Sequence, residues 1–326
     1  MKKLTPVTIL TGFLGSGKTT LLAHLLADPR LERTAVIINE FGEVSIDHLI
    51  VAKVAENVVE LRNGCLCCTI RGDLALTLRD LYRQRVLEEV APFERVIVET
   101  SGLADPVPLV HTLMTDPHLM RAFGLEAVVT VIDAQHAAQT LPEHETATNQ
   151  LALADLVVLT KTDIASAEER SAAERLVAGI NPQAECLVAV QGAIDPVLLV
   201  GRSRFMPDRR AGTIMAWILA HEHHDHATHY ATHVITRPGP LSLAGTTVFL
   251  NHLVNQAGDS LLRIKGIAGF REKGGRPAIL HAVRNKFYPV QWLDDWPDTD
   301  QTSRLVFIGR QLDAAWLDEK FASLCE

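Results

Sequence analysis

Val7-Thr8-Ile9-Leu10-Thr11-Gly12-Phe13-Leu14-Gly15-Ser16-Gly17-Lys18-Thr19-Thr20 is the most informative stretch of the chain. A short apolar, β-branched run enters a glycine loop, and the loop enters a helix expected from about Lys18 to Ala27. Residues 12–19 fit G-x-x-x-x-G-K-[ST], a pattern with a specific physical demand. Small residues at Gly12, Gly15, Ser16 and Gly17 let successive backbone N–H groups curl around phosphates. Lys18 is placed to reach the β- and γ-phosphates and Thr19 to ligate Mg²⁺, and Thr20 beside them belongs to the expected nucleotide-binding set. The positive end of the helix adds to the attraction. A glycine turn without a ligand is the bland alternative, and the strand before and helix after the loop speak against it.

On either side of this loop the pattern repeats. Residues 35–38, 58–61, 96–98, 128–132 and 156–159 are further near-continuous apolar runs, and residues 74–90 and 165–180 read as helices between them. Strands without polar alternation suit a sheet covered on both faces. Strand–helix alternation predicts an α/β fold, a mostly parallel sheet of the P-loop type with helices on both faces. After about residue 200 the pattern changes. Strands are expected at 233–236, 261–270, 278–283 and 305–308, with helices from Pro240 to about Gln256 and over 312–324. These form a smaller C-terminal α+β domain. The expected organisation is residues 1–205 as the nucleotide domain, 206–231 as a His-rich linker, and 232–326 as the second domain.

Composition agrees with a soluble two-domain protein. The chain has 326 residues, of which 47% are hydrophobic and 21% charged. With 31 Lys and Arg against 39 Asp and Glu, the formal charge of -8 provides no basic field for nucleic acid. No run approaches the roughly 18–20 apolar residues that span a bilayer, and the start, Met1-Lys2-Lys3-Leu4-Thr5-Pro6, has no secretory h-region. The expected compartment is the cytoplasm, where clustered thiols bind metal or do redox chemistry.

Two more segments extend the nucleotide reading. Val96-Ile97-Val98-Glu99-Thr100-Ser101-Gly102 is a strand ending in an acid that can hold Mg²⁺, and Gly102 lets the backbone approach the γ-phosphate. Thr160-Lys161-Thr162-Asp163 follows another strand and is similar to the [NT]-K-x-D base-recognition pattern. A carboxylate at Asp163 accepts from guanine N1–H and N2–H₂, donors that adenine lacks there. Lys161 lays its stem along the base. Thr160 stands where Asn is usual, and its hydroxyl can still brace the loop. An ATP-using protein is the alternative.

Gly64-Cys65-Leu66-Cys67-Cys68 places three thiols within four residues. Cys65, Cys67 and Cys68 suit one soft or borderline cation, with His, Glu or water completing a tetrahedron. Redox pairing of Cys65 with Cys68 and simple burial are the rivals. Cys186 and Cys325 stand alone. Six of 14 His residues, His221, His223, His224, His226, His229 and His233, fall within thirteen positions. They read as a weak metal-capturing tract or as a solvated linker.

Taken with Asn39-Glu40-Phe41-Gly42-Glu43-Val44-Ser45-Ile46-Asp47, Arg263-Ile264-Lys265-Gly266 and Arg304-Leu305-Val306-Phe307-Ile308-Gly309, these motifs in this order resemble the CobW-like GTPases. Those are relatives of the urease and hydrogenase maturation GTPases. The resemblance implies GTP hydrolysis and binding of Zn²⁺, Co²⁺ or Ni²⁺ at the C-x-C-C motif, with delivery to an unidentified client metalloprotein. It implies a nucleotide-sensing segment at 39–47, in which Asp47 positions water or serves the Mg²⁺ side and Glu43 is a candidate fourth metal ligand. With Lys18 and Glu99, Asp47 completes the expected catalytic set. A nucleotide-dependent homodimer is a further implication. The rival functions are a non-enzymatic metal buffer with structural nucleotide and a P-loop small-molecule kinase.

Overall fold

The computed structural model describes residues 4–39, 58–60, 70–201, 230–284, 286–288, 290–296 and 300–325. The chain divides into two compact units. The first is built on β1 (Thr5–Thr11), β2 (Thr34–Asn39), β3 (Val58–Glu60), β4 (Arg95–Thr100), β5 (Phe123–Asp133), β6 (Leu156–Thr160) and β7 (Glu185–Val188). They form one sheet in the order β3-β2-β4-β1-β5-β6-β7, and every pairing is parallel. The central strands are apolar on both faces because both faces are covered. All five residues of β6 are buried.

The order of connection reverses at β1, which lies between β4 and β5. Ligands of open parallel sheets sit outside the carboxyl ends of the strands at such a reversal, and the loop 12–19 leaves β1 at that end. Helix α1 (Lys18–Leu26) buries Leu21, Leu22, Leu25 and Leu26, a stripe at helical spacing. With Leu10, Val36, Val129 and Val158 these residues form one core.

The helix expected at 74–90 is α2 (Ile70–Val86) and stops earlier than expected. Glu88 takes a left-handed conformation (φ 59°). The Glu89 N–H then bonds back to the Gln84 carbonyl at 2.8 Å, and the Glu88 N–H to that of Arg85 at 3.3 Å, closing the helix end. Elements absent from the sequence reading are α3 (Val107–Thr115), α4 (Ala137–Glu143), α5 (Glu145–Ala152), β7 and α7 (Pro196–Leu199). The helix expected at 165–180 is α6 (Ala167–Ile180).

The second unit holds an antiparallel sheet of β8 (Tyr230–Pro238), β9 (Leu261–Gly269), β10 (Pro277–Val283), β11 (Lys286–Phe287) and β13 (Thr302–Arg310), in the order β11-β10-β9-β13-β8, with β12 (Gln291–Trp292) pairing to β10. Helices α8 (Leu243–Ala257) and α9 (Ala314–Cys325) supply Phe249, Leu253, Leu317 and Phe321 to its core. The expectation that Pro240 opens a helix is corrected. Ser242 is the cap, its Oγ accepting from Gly245 N at 3.1 Å, while Glu272 accepts from Leu243 N at 3.0 Å. The expected start of the last helix at 312 moves to Ala314, where Asp313 accepts from Trp316 N at 3.0 Å. Among the described residues no helix is long and apolar enough to cross a membrane.

Candidate functional site

The loop leaves β1 through a glycine that nothing else could replace. Gly12 has φ 143°, and a Cβ there would lie 2.3 Å from the Val131 carbonyl of β5. Gly17, with φ 96°, caps α1, so the loop's backbone N–H groups and the helix start share one crevice. Lys18 is 8% exposed. Its Nζ donates to the carbonyls of Gly12 (2.9 Å) and Phe13 (3.1 Å), which holds the ammonium over the loop. Gly15 and Thr20 are exposed and Ser16 is buried.

Glu99, at the end of β4, is 5% exposed and accepts from Thr19 Oγ1 at 3.0 Å. The two residues expected at Mg²⁺ are therefore in contact although 80 positions separate them in the chain. Their donors are oxygens, which suits a hard cation. A hydrogen bond of 2.8 Å from Thr100 Oγ1 to Thr11 Oγ1 ties the ends of β4 and β1 together. Gly102 lies directly on the loop. A Cβ on it would come 2.6 Å from Leu14 N and 2.8 Å from Leu14 Cα.

On the other side of β1, Thr160 Oγ1 lies 2.6 Å from the Ser16 carbonyl and 3.2 Å from the Ile132 carbonyl, so its proton is shared between them. This is the loop brace that the sequence ascribed to Thr160 in place of Asn. Lys161 follows with φ 56°, and Asp163 is exposed. The Lys161 Nζ bonds Asp133 Oδ2 at 2.7 Å. Asp133 also meets His136 Nδ1 at 2.9 Å and accepts from Gln135 N at 2.9 Å. Burial alone would raise the Asp133 pKa. The bonds from Lys161, His136 and the Gln135 amide outweigh it and hold the carboxyl below its ordinary value. Between the loop and α4 lies a cleft of about 400 Å³ lined by Phe13, Leu14, Asp133, Leu141 and His144, with His144 stacked on Phe13 at 4.5 Å.

Three features of this site were absent from the sequence reading. Asp133 is an acid that closes the apolar run of β5, and that is the signal that could have found it. Gln150, on α5, donates to the loop after β4. The turn at Gln191 and Gly192 lies against α1, since a Cβ on Gly192 would be 2.7 Å from the Thr20 carbonyl. Neither of the last two has a signature in a single sequence.

Other expected residues lie outside the described part of the chain. They are Glu43 and Asp47, Cys65, Cys67 and Cys68, and His221, His223, His224, His226 and His229. His233 is described. It sits in β8 with Nε2 3.2 Å from Asp318 Oδ1 of α9. Among the described residues no group of three or more His, Cys, Asp or Glu could hold a metal ion. Of the two lone thiols, Cys325 is buried in the C-terminal core. Cys186 is solvent-exposed as a residue, and desolvation of its sulfur still pushes the thiol up to about 11.

A parallel sheet with this loop at its reversal point defines a P-loop nucleoside triphosphatase. A family profile described as "CobW/HypB/UreG, nucleotide-binding domain" matches residues 6–188, and one described as "Cobalamin synthesis protein cobW C-terminal domain" matches residues 230–325. The chain is 33% identical to the zinc chaperone YjiA of Escherichia coli over 98% of both proteins. It is 34% identical to the zinc chaperone CobW of Pseudomonas aeruginosa, over 95% of this chain and 88% of that one. The crystal structure of Zn(II)-bound YjiA GTPase from E. coli superimposes with a TM-score of 0.77 at 29% identity, covering 99% of each chain. The chain belongs to the CobW/HypB/UreG family of P-loop GTPases.

Proposed function

We propose that this protein is a GTP-driven carrier of a transition metal, with Zn²⁺ as the first candidate cargo and Co²⁺ or Ni²⁺ as the others. The loop 12–19 with Lys18 holds the phosphates, and Thr19 and Glu99 hold Mg²⁺, which supplies charge neutralisation at the phosphates. Thr160, Lys161 and Asp163 select guanine, and Asp47 positions water for hydrolysis. The cargo rides on Cys65, Cys67 and Cys68 with Glu43, and passes to a client metalloprotein in the cytoplasm. The His-rich segment 206–231 and His233 give weak secondary capture. Two copies pair across the bound nucleotide.

The observation that carries this reading is the bracing of the phosphate loop by the base motif, through the 2.6 Å bond from Thr160 to Ser16. It supports reading the phosphate loop and the base motif as parts of one site. The names of the similar proteins, two of them zinc chaperones, support the choice of cargo.

Zinc titration in the presence of Mg²⁺ with GDP or a non-hydrolysable GTP analogue tests the coupling. A difference of about 5-fold or more is expected between the two states, with zinc shifting the analogue's affinity by the same factor. Equal zinc affinities in both states sink the carrier mechanism. Replacing Cys65, Cys67 and Cys68 together by Ser should abolish tight binding.

A further inference from the structure

Gln150 is 0% exposed, yet it is polar and lies on the short helix α5. Its Nε2 faces two acceptors in the segment that follows β4, the carbonyls of Gly102 at 3.2 Å and Ala104 at 2.9 Å. One –NH₂ group carries two protons, so a single nitrogen serves both. The backbone that carries this side chain is anchored to the sheet, because the Gln150 carbonyl accepts from Thr130 Oγ1 of β5 at 2.8 Å. Its Oε1 is buried and accepts no hydrogen bond among the described residues. A buried acceptor left unmade costs stability, so the amide is not explained by stability alone.

The geometry has a directional consequence. In a trans peptide the C=O and the following N–H point opposite ways. Pinning the Gly102 carbonyl toward Gln150 therefore turns the Leu103 N–H away from α5. The same segment rests on the phosphate loop through the close approach of Gly102 to Leu14, and it follows directly from Glu99. We propose that Gln150 is a positioning residue that holds the Gly102–Leu103 backbone in the orientation required to meet the γ-phosphate of GTP. It touches no reacting atom and acts through that peptide. This rests on the reading of Gly102 as lying on the γ-phosphate side.

GDP has no γ-phosphate, so the role predicts a selective defect. In the full chain, Gln150→Met removes both donors at similar volume. Gln150→Glu replaces the donors by a carboxylate facing two carbonyls and serves as the second variant. For each folded variant the expected result is GDP affinity within about twofold of wild type, GTP-analogue affinity at least ~10-fold lower, and single-turnover GTP hydrolysis at least ~10-fold slower. Parallel losses for GDP and the GTP analogue would show a merely structural residue and overturn the proposal, as would unchanged hydrolysis in both folded variants. If neither variant folds, Gln150→Asn retains the amide on a shorter arm, and wild-type GTP-to-GDP discrimination in it overturns the proposal equally. Wild-type protein that fails to bind GTP overturns the reading of the site itself, an outcome distinct from normal wild-type turnover with indifferent variants.

Discussion

Asp133 shows how one carboxylate can serve a site it was not expected in. It receives the Lys161 ammonium and the His136 ring on one oxygen and the Gln135 amide on the other. These partners favour its charged form, and they win over the desolvation that opposes it. Its folded pKa therefore lies below the ordinary aspartate value. A depressed acid contributes stability that is present above its unfolded pKa and is lost as pH falls through the folded value. Asp133→Asn should cost about 1–2 kcal/mol at neutral pH, discounted for partial exposure of Lys161. The gap in thermal midpoint between wild type and variant should narrow as pH is lowered through and below the ordinary aspartate range. A gap that stays constant down to the acid limit would show that the charge of Asp133 is not what stabilises the site. The same variant should release guanine nucleotide faster, since Lys161 loses its anchor.

Strands β1 to β6 were legible because their apolar runs carry no polar alternation, whereas β7, Glu185–Val188, alternates in burial and was not. The phosphate loop was legible because its glycines obey a spacing set by backbone sterics. Helices α3 and α5 were not legible, each for a different reason. Val107-Pro108-Leu109-Val110 is apolar all round and carries a proline in its first turn, so no stripe at helical spacing appears. Helix α5 buries Thr148, Asn149 and Gln150 beside Ala147 and Leu151, so polarity does not mark its outer face. In the site, Thr19, Glu99, Thr160 and Lys161 were readable from motifs, while Asp133 and Gln150 act through pairings 28 and 48 positions apart in the chain. The segment after β4 and the phosphate loop pack as one piece, because the Leu14 backbone fills the space a side chain on Gly102 would need. Gly102→Ala must move one of the two, at a cost of about 1–3 kcal/mol. Displacing the loop should weaken GDP and GTP together, unlike the selective defect expected at Gln150. Fluorescent-nucleotide titration separates the two patterns, and unaltered GDP binding in Gly102→Ala would show that the loop tolerates the added methyl.

Each unit of the chain encloses its own apolar cluster, one around Leu21, Val129 and Val158 and the other around Phe249, Phe307 and Phe321. A cluster that closes on itself can melt as a cooperative unit, and a ligand stabilises only the unit whose folded form binds it. Calorimetry of the full chain should therefore resolve two transitions. Mg²⁺ with GDP at about 100 times its Kd should raise only the one belonging to the nucleotide unit, by the equivalent of about 2.7 kcal/mol. Phe249, 0% exposed, meets Phe321 at 5.2 Å and Phe307 at 6.0 Å between ring centroids, edge to face in both cases. Phe249→Ala should cost the C-terminal unit about 3–5 kcal/mol. It should lower the second transition while leaving the nucleotide-responsive one in place. A single transition that moves with both GDP and Phe249→Ala would mean that the two cores unfold together. Nucleotide binding would then be linked to the stability of the C-terminal sheet as strongly as to that of the phosphate loop.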